Sequence, residues 1–300
     1  MSSAQRNGLR IGYVPEHFST PLHFAQKYFS LPGELKAYPS GTGHMIQSLK
    51  ANEIDVGIGL TEGWVGGLGK EGDKAGYKIV GTYVETPLRW AISTGAGRND
   101  ITEVEGPGGL EGKKVGISRI GSGSYIMPFV LADENGWLKP GKQPFENIVL
   151  DNFKKLRAAV NDGTADFFMW EHFTTKRYYD NGELKKIGEI YTPWSSWKIV
   201  ARNPTDKTLE EMAKSINEGI KYFWEHKDEA VKYISTSLDY SAEDAQEWMK
   251  TVEFAEDVRG VDPAVIRKTV DILAKAGVLE PAKVDINGMI GIKRAEKAQN

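Results

Sequence analysis

The chain repeats one short arrangement of residue types at two places, roughly a hundred residues apart. Residues 52–62 read NEIDVGIGLTE and residues 161–172 read NDGTADFFMWEH. In both, a polar turn precedes an Asp, then an apolar run, then a Glu. An unbroken apolar run of this length is typical of a strand that is buried on both faces, as in a parallel sheet. Because ligands of open α/β sheets bind beyond the carboxyl ends of the strands, the repeat predicts two sheets with facing edges.

Strands and helices alternate along most of the chain, in two runs. Periodicity predicts strands at 9–14, 34–38, 54–60, 77–84 and 88–94, and then at 114–118, 147–150, 165–170 and 197–201. Helices are predicted at 17–29, after residue 43, at 125–134 and at 153–160. This alternation is typical of α/β sheets in which most strands run parallel. After residue 208 the pattern is mainly helical, with helix-start signals at Thr208, Ser241 and Asp262.

Charge and composition exclude several classes of function. The formal net charge is -3, so there is no basic surplus to attract nucleic acid or an anionic membrane. Charges or glycines interrupt the apolar runs before they reach membrane-spanning length, so we expect no direct membrane insertion. The chain has no cysteine, which excludes thiolate nucleophiles, disulfides and cysteine-based metal sites.

The first ten residues, MSSAQRNGLR, lack the apolar core of a secretory leader. We therefore expect a cytoplasmic protein if the chain is complete from Met1, and a periplasmic protein if a leader has been removed. An exported protein of this kind would have a membrane transporter as its partner.

Three segments carry a resemblance to a known family. They are SGTGHMIQSLKANEIDVGI at 40–58, LEGKKVGISRIGSGS at 110–124 and AAVNDGTADFFMWEH at 158–172, in that order. The chain resembles the type II periplasmic solute-binding proteins, in the branch that includes binders of nitrate, sulfonates, taurine and thiamine pyrimidine precursors. The resemblance implies a two-lobed α/β fold, each lobe a mixed, mostly parallel sheet flanked by helices. It also implies capture of one small molecule by hinge closure.

The resemblance divides the chain as well. Lobe one would contain residues 1–94 and 202–300, with both termini and the helical C-terminal tail, and lobe two would contain residues 95–201. The two hinge crossovers would lie near 94–97 and 199–203. We expect a monomer, since a cleft that closes about a hinge needs no second subunit.

Candidate binding residues gather at the predicted strand ends. The turns at 40–43 and 122–124 open helices, whose free N–H groups favour an anion or a ring acceptor. Glutamates at the same edges would repel an anion and accept hydrogen bonds from N–H donors, and tryptophans would stack on a ring. The predicted binding residues are Glu16, His17, Phe18, Ser40, Gly41, Thr42, Gly43, Thr61, Glu62, Trp64, Ser122, Gly123, Ser124, Tyr125, Trp170, Glu171 and Trp194.

These residue types favour a small nitrogen heterocycle of the thiamine pyrimidine precursor type. One alternative is a sulfonate, taurine or nitrate, recognised mainly by the helix N-termini. Another is an enzyme of pyrimidine or thiamine-precursor metabolism that uses Glu16, His17 or Glu62 as acid–base groups. A pyrimidine-precursor synthase of similar fold has a lysine and a histidine where our alignment places Gly59 and Gly63, so its chemistry is not carried over. We therefore predict binding rather than catalysis, with no metal and no cofactor.

Overall fold

The structure, a computed structural model, describes residues 8–139 and 141–294. Within them the strands are β1 Leu9–Tyr13, β2 Gly33–Ala37, β3 Val56–Leu60, β4 Lys78–Val84, β5 Arg89–Gly95, β6 Lys114–Ile117, β7 Glu146–Val149, β8 Phe167–Glu171, β9 Leu184–Tyr191 and β10 Trp197–Ala201. The helices are α1 Thr20–Tyr28, α2 Thr42–Lys50, α3 Thr61–Glu71, α4 Gly123–Glu134, α5 Phe153–Asp162, α6 His172–Asp180, α7 Thr208–Glu225, α8 Lys227–Ser237, α9 Ala242–Met249, α10 Pro263–Lys275 and α11 Ile286–Met289. Short 3-10 turns occupy His17–Ser19, Gly72–Ala75 and Pro281–Lys283.

The strands form two five-stranded sheets with the same plan. The first has the order β2-β1-β3-β10-β4, and the second has the order β7-β6-β8-β5-β9. In each sheet one strand, β10 or β5, is antiparallel to both of its neighbours, and the other four strands run in one direction. This confirms the predicted mixed, mostly parallel α/β fold. The carboxyl ends of β1 and β3, and of β6 and β8, therefore share an edge of their sheets.

The chain passes between the sheets twice, at residues 85–88 and at residues 192–196. The two segments are hydrogen-bonded to each other, since Ser196 N–H donates to Thr86 O (3.1 Å) and Thr192 N–H donates to Leu88 O (3.0 Å). We call residues 85–88 and 192–196 the crossing segments.

The crossovers predicted near 94–97 and 199–203 are displaced from these segments. The predicted positions fall at the end of β5 and within β10. Strand β5, predicted for lobe one, belongs to the second sheet, and β10, predicted for lobe two, belongs to the first sheet. An apolar run shows that a strand is buried but not which sheet it joins, because that choice depends on pairing with distant strands. The division into two lobes itself stays a prediction.

Three elements lie where the sequence pattern gave no helix or strand: α3, α6 and β9. Several glycines in α3 and many polar residues in α6 obscure the helical period of apolar positions. The predicted helix at 17–29 is divided into the 3-10 turn His17–Ser19 and α1, which has Pro21 in its first turn.

The segment after β10 is mainly helical, as predicted. Helix α7 packs on α1 and α10 packs on α3, beside the first sheet, while α10 also contacts α4. Ser241 and Asp262 cap α9 and α10 through their side chains. Thr208 does not cap α7 but is its first residue, and its backbone N–H donates to the Asp206 carboxylate (2.9 Å). In the part of the chain that the structure describes, no helix is both long and apolar enough to cross a membrane.

Candidate functional site

A cavity of about 50 Å³ lies between the two sheets, at the carboxyl ends of their parallel strands. Its walls come from the residues that follow β1, β2 and β6, from the ends of β3 and β8, and from the starts of β5 and β10. The lining residues are Val14, Glu16, Pro39, Ser40, Gly41, Thr42, Gly43, Leu60, Leu88, Trp90, Ser118, Ser122, Gly123, Ser124, Trp170, Glu171 and Trp197. This is where an open α/β sheet normally holds a ligand.

The wall from the first sheet is the turn before α2. Gly41 is the N-cap of this helix and has a φ of +77°, a conformation that favours glycine, and no side chain caps the first turn. The Thr42 hydroxyl is used within the protein, because it accepts the N–H of Leu60 (2.9 Å) and so ties α2 to β3. What this wall offers a ligand is therefore the Ser40 hydroxyl and the free N–H groups of the first helical turn.

The wall from the second sheet is the turn before α4, which is closed by its own serines. Ser122 is the N-cap, and its hydroxyl accepts the N–H of Tyr125 (3.3 Å). The Ser124 hydroxyl lies 2.9 Å from that of Ser122 and 3.1 Å from that of Ser118, and it accepts the Ser118 N–H (2.9 Å). These hydroxyls therefore satisfy one another, and the Ser122 side chain gives the Tyr125 N–H an acceptor within the protein.

Three tryptophans form the aromatic part of the wall. Trp170 lies nearly parallel to Phe153, with ring centroids 5.1 Å apart and planes at 23°. Trp90 and Trp197 are both 3% exposed, and the indole N–H of each has no hydrogen-bond partner among the described residues. Trp90 packs closely on α4, where a Cβ added to Gly123 would lie 2.8 Å from its ring. The flat faces suit stacking on a ring, and the unpaired N–H groups suit an acceptor.

Two glutamates bring carboxyl groups to the same cavity. Burial raises the pKa of Glu16 to about 8, and repulsion from Glu171 adds to the rise. Burial also raises the pKa of Glu171 to about 7, although the Thr174 N–H donates to its carboxylate (2.6 Å). Near neutral pH the pair therefore keeps a proton, so that one carboxyl can donate a hydrogen bond while the other accepts.

His17 lies behind this wall rather than in it. Its ring is fully buried, with its centroid 4.4 Å from that of Tyr240 and 4.3 Å from that of Trp248. Its Nε2 is 3.8 Å from Glu171 Oε1, and burial lowers the pKa of His17 well below its usual value. The ring is therefore neutral at pH 7. The 3-10 turn directs both His17 and Phe18 inward, and neither lines the cavity.

Glu62 is buried at the start of α3 and does not line the cavity. Its Oε2 accepts the indole N–H of Trp194 (3.0 Å), and a Cβ added to Gly123 would lie 3.0 Å from its Oε1. Burial raises the pKa of Glu62 to about 7. Lys198 is also buried, donates to the hydroxyl of Ser195, and has its pKa lowered to about 7 by burial. These ionisable groups belong to the second crossing segment and its surroundings rather than to the cavity.

The structure brings most of the predicted binding residues together. Those that line the cavity are Glu16, Ser40, Gly41, Thr42, Gly43, Ser122, Gly123, Ser124, Trp170 and Glu171. Their contact with a ligand stays a prediction.

The remaining predicted residues lie elsewhere, for identifiable reasons. Besides His17, Phe18, Glu62 and Trp194, they are Thr61, Trp64 and Tyr125. Thr61 donates to Ser195 O (2.6 Å), and the Trp64 ring fills the space beside β3 where a Cβ on Gly57 would come within 2.8 Å of it. The Tyr125 ring packs against Phe129 (5.2 Å between centroids). The turn predicted after β3 is the first turn of α3, so its side chains pack into the interior.

The predicted set omits some of the lining residues, namely Val14, Pro39, Leu60, Leu88, Trp90, Ser118 and Trp197. Two of them, Pro39 and Leu60, are adjacent in sequence to a predicted residue. Trp90 and Trp197 share one available signal, since each lies at or near the start of a strand that follows a crossing segment. Within residues 8–139 and 141–294, no group of three or more His, Asp or Glu side chains is placed to hold a metal ion.

Comparison with known proteins identifies the family. A family model described as Ca3427-like PBP matches residues 90–190. The CA3427 gene product of Candida albicans, described as defining a family with the generic periplasmic binding protein fold, is 42% identical, with a TM-score of 0.85 over 97% of this chain and 99% of that one. A comparison with curated protein sequences found no match.

Two more distant structures share the fold alone. The alkanesulfonate-binding protein SsuA from Xanthomonas axonopodis pv. citri is 15% identical, with a TM-score of 0.76 over 96% of this chain and 99% of that one. The periplasmic nitrate-binding protein NrtA from Synechocystis is 14% identical, with a TM-score of 0.69 over 96% of this chain and 86% of that one. The resemblance to type II periplasmic solute-binding proteins is confirmed, and the chain belongs to the Ca3427-like family of the periplasmic-binding-protein fold.

Proposed function

We propose that this protein binds one small polar solute between its two sheets, and that the solute is a nitrogen heterocycle of the thiamine pyrimidine precursor type. The observation that carries the proposal is the pair of carboxyls, Glu16 and Glu171, in a wall of three tryptophans. An aminopyrimidine presents N–H donors and ring acceptors along the edge of a flat ring. Two carboxyls that keep one proton between them offer the complementary acceptor and donor.

Hinge closure is part of the proposal, and the size of the cavity supports it. Pockets for drug-sized ligands usually measure about 300–1,000 Å³, whereas this cavity has about 50 Å³. The sheets must therefore separate to admit a ring, with the crossing segments as the connection. Two contacts between α6 and the segment at the start of α9 would re-form on closing: the hydroxyls of Thr174 and Tyr240 are 2.9 Å apart, and Lys176 Nζ lies 3.1 Å from Asp244 Oδ1.

The partner depends on the compartment, and both alternatives stand as proposals. SsuA and NrtA, which share the fold, are named as an alkanesulfonate-binding and a nitrate-binding protein. If this chain is exported, we propose that it delivers its solute to a membrane transporter. If it stays in the cytoplasm, it serves as a carrier or sensor.

Ligand-dependent stabilisation tests the proposal. The purified protein is heated with the aminopyrimidine alcohol, its formyl derivative, thiamine, taurine, an alkanesulfonate or nitrate. A ligand present at a hundred times its Kd adds about 2.7 kcal/mol to the free energy of unfolding, which raises the Tm by several degrees. A shift with pyrimidines supports the proposal, and a shift with sulfonates or nitrate alone contradicts it.

The Glu16→Gln variant then tests the carboxyl pair. Gln keeps the shape of the side chain but cannot exchange a proton, so we expect the affinity for the aminopyrimidine to fall about 10- to 100-fold. Glu34→Gln is the matched control, because Glu34 is exposed on the edge strand β2. Equal affinities for the two variants would contradict recognition by the pair.

A sulfonate, taurine or nitrate is the second candidate, and one feature favours it. The N-terminal turn of α2 borders the cavity without a side-chain cap, and an anion is stabilised by such a turn. Because burial keeps a proton on the carboxyl pair, like-charge repulsion is also weaker than the sequence alone implies. In the same heating experiment, this candidate predicts shifts with these anions and none with uncharged pyrimidines.

A further inference from the structure

One arginine reaches from the second sheet to the wall of the first. Arg119 follows β6, and its side chain lies against Gly43 in the first turn of α2. A Cβ added to Gly43 would lie 2.8 Å from Arg119 Cδ, 3.5 Å from Cγ and 3.7 Å from Nε. Glycine leaves the room that this contact needs. Arg119 itself is not among the lining residues, but its stem lies across the gap between the sheets, beside Gly43, which lines the cavity.

The Arg119 guanidinium has no hydrogen-bond or ion-pair partner among residues 8–139 and 141–294, although the side chain is partly buried. The other partly buried arginines all bind a carboxylate; they are Arg10, Arg89, Arg98, Arg157 and Arg294. A guanidinium carries five N–H donors and matches a carboxylate, sulfonate or phosphate group in a two-pronged contact. Arg119 thus differs from the other partly buried arginines, because its guanidinium has no carboxylate partner among the described residues.

Three further donor groups on the cavity wall have no partner among the residues that the structure describes, although the buried Glu62 Oε1, close to the lining residue Gly123, is an unpaired acceptor. The first turn of α2 has no capping side chain, in contrast to that of α4, which Ser122 caps. On the cavity wall, the buried indole N–H groups of Trp90 and Trp197 have no partner in the described part of the chain. A cation, a helix N-terminus and two buried N–H donors all favour a negatively charged acceptor.

We infer that Arg119 determines specificity, and that the solute carries an anionic group which lies between the Arg119 guanidinium and the N-terminal turn of α2. The inference rests on the proposed function, since it assigns a second part to the solute of the same cavity. A phosphate ester and a sulfonate share the required chemistry. In a solute that combines a ring with such a group, the ring would contact the tryptophans and the carboxyl pair, and the anionic group would contact Arg119.

Matched neutral and anionic probes test this assignment. The probes are the aminopyrimidine alcohol, its phosphate monoester, ethanesulfonate and inorganic phosphate, and the Kd of each is measured by titration calorimetry. In Arg119→Ala, we expect the affinity for the phosphate monoester to fall about 10- to 100-fold, since a charge-assisted contact is lost. The affinity for the alcohol should change by less than about twofold. Arg259→Ala is the control, because Arg259 is exposed and lies outside the cavity.

A second variant tests the position of the side chain rather than its charge. Gly43→Ala places a methyl group only 2.8 Å from Arg119 Cδ, which is too close, so the arginine stem must shift. We expect it to weaken binding of the phosphate monoester in the wild-type background and to have little further effect in the Arg119→Ala background. Additive effects of the two substitutions would overturn the proposed contact. Thermal unfolding shows that each variant is folded, and alanine itself is favourable within a helix.

The results separate this inference from the proposed function. If inorganic phosphate or ethanesulfonate binds and loses affinity in Arg119→Ala while neither pyrimidine binds, the inference holds and the heterocycle is wrong. If the alcohol and its phosphate monoester bind equally well to the wild type, the inference is overturned and the heterocycle stands. The relative affinities of the phosphate monoester and ethanesulfonate then identify which anion the site prefers.

Discussion

The two repeated units, residues 52–62 and residues 161–172, each carry a glutamate where a strand passes into a helix, and the two glutamates have different surroundings. Glu171 is the N-cap of α6, accepts the Thr174 N–H, and faces the cavity beside Glu16. Glu62 lies two positions beyond the N-cap of α3, is buried, and accepts the indole N–H of Trp194 in the second crossing segment. One unit therefore contributes to the cavity wall, and the other contributes to the connection between the sheets.

The cause of this difference is a displacement of two residues relative to the helix start. On an α-helix with 3.6 residues per turn, two positions rotate a side chain by roughly 200°, to the opposite side. The same order of residue types thus directs one carboxyl to the cavity and the other to the interior. A repeat in sequence predicts a repeat in secondary structure, but a function carried by one side chain need not be repeated.

Ligand affinity should show the largest contrast between the units. Glu171→Gln removes the ionisable group from the cavity wall, and we expect the affinity for the aminopyrimidine to fall about 10- to 100-fold. Glu62→Gln keeps its hydrogen bond to Trp194, and the side chain does not itself line the cavity, so the affinity should stay within about threefold of the wild-type value. Titration calorimetry measures both. Equal losses would mean that Glu62 also contacts the solute, as the sequence predicted.

The pH dependence of stability should be similar in the two units, because both glutamates have a pKa of about 7 in the folded protein. A carboxyl whose pKa is raised above the usual 4.5 binds a proton on folding. The free energy of unfolding therefore falls as the pH rises from about 4.5 through 7. In Glu62→Gln or Glu171→Gln this contribution is absent, so each variant should gain on the order of 2 kcal/mol relative to the wild type over that interval.

Urea unfolding at a series of pH values measures this gain. Lys198→Met is the control of opposite sign. The pKa of Lys198 is lowered to about 7 from 10.5, so Lys198 contributes stability that increases as the pH rises between these values. Lys198→Met should accordingly lose stability relative to the wild type above pH 7. A difference between Glu62→Gln and the wild type that does not change with pH would contradict the raised pKa.

Trp194→Phe should affect only the unit that contains Glu62. It removes the N–H that donates to Glu62 Oε2 and leaves a buried carboxyl without that partner, at a cost of about 1.5 kcal/mol. Trp248→Phe is the matched control, since the buried Trp248 N–H has no partner in the described residues. Urea unfolding of both variants, repeated in a Glu62→Leu background, isolates the contribution of the hydrogen bond. An equal cost in both backgrounds would show that packing alone accounts for the loss.

Much of the fold follows from apolar patterns that are local in the chain. The segment WKIVA at 197–201 is predicted and observed as β10, and its aromatic and β-branched residues favour a strand although it includes Lys198. The turns at 40–43 and 122–124 are found on the cavity because carboxyl ends of parallel strands meet at one edge. Both inferences need only the order of elements along the chain.

The rest depends on pairings that are distant in sequence. Trp90 lines the cavity because β5 joins the second sheet beside β8, and Trp197 does so because β10 returns to the first beside β3. Neither choice is visible in an apolar run. The pKa of Glu16 is raised mainly by burial and further by Glu171, which belongs to the other sheet. Sequence patterns thus locate the strand ends that border the cavity, but not the residues whose position depends on pairing between distant segments.

The smallest expected effect is a difference in the free energy of unfolding between substitutions at the two helix ends that border the cavity. Ser122 caps α4, so Ser122→Ala should lower the free energy of unfolding by about 1 kcal/mol. Ser40 precedes the N-cap Gly41 of α2 and caps nothing, so Ser40→Ala should cost less than about 0.5 kcal/mol. Urea unfolding without ligand measures both. Equal costs would show that Ser40 caps α2 and that the N–H groups of its first turn already have an acceptor within the protein. The second candidate solute and the anionic group proposed beside Arg119 both require those N–H groups to be free.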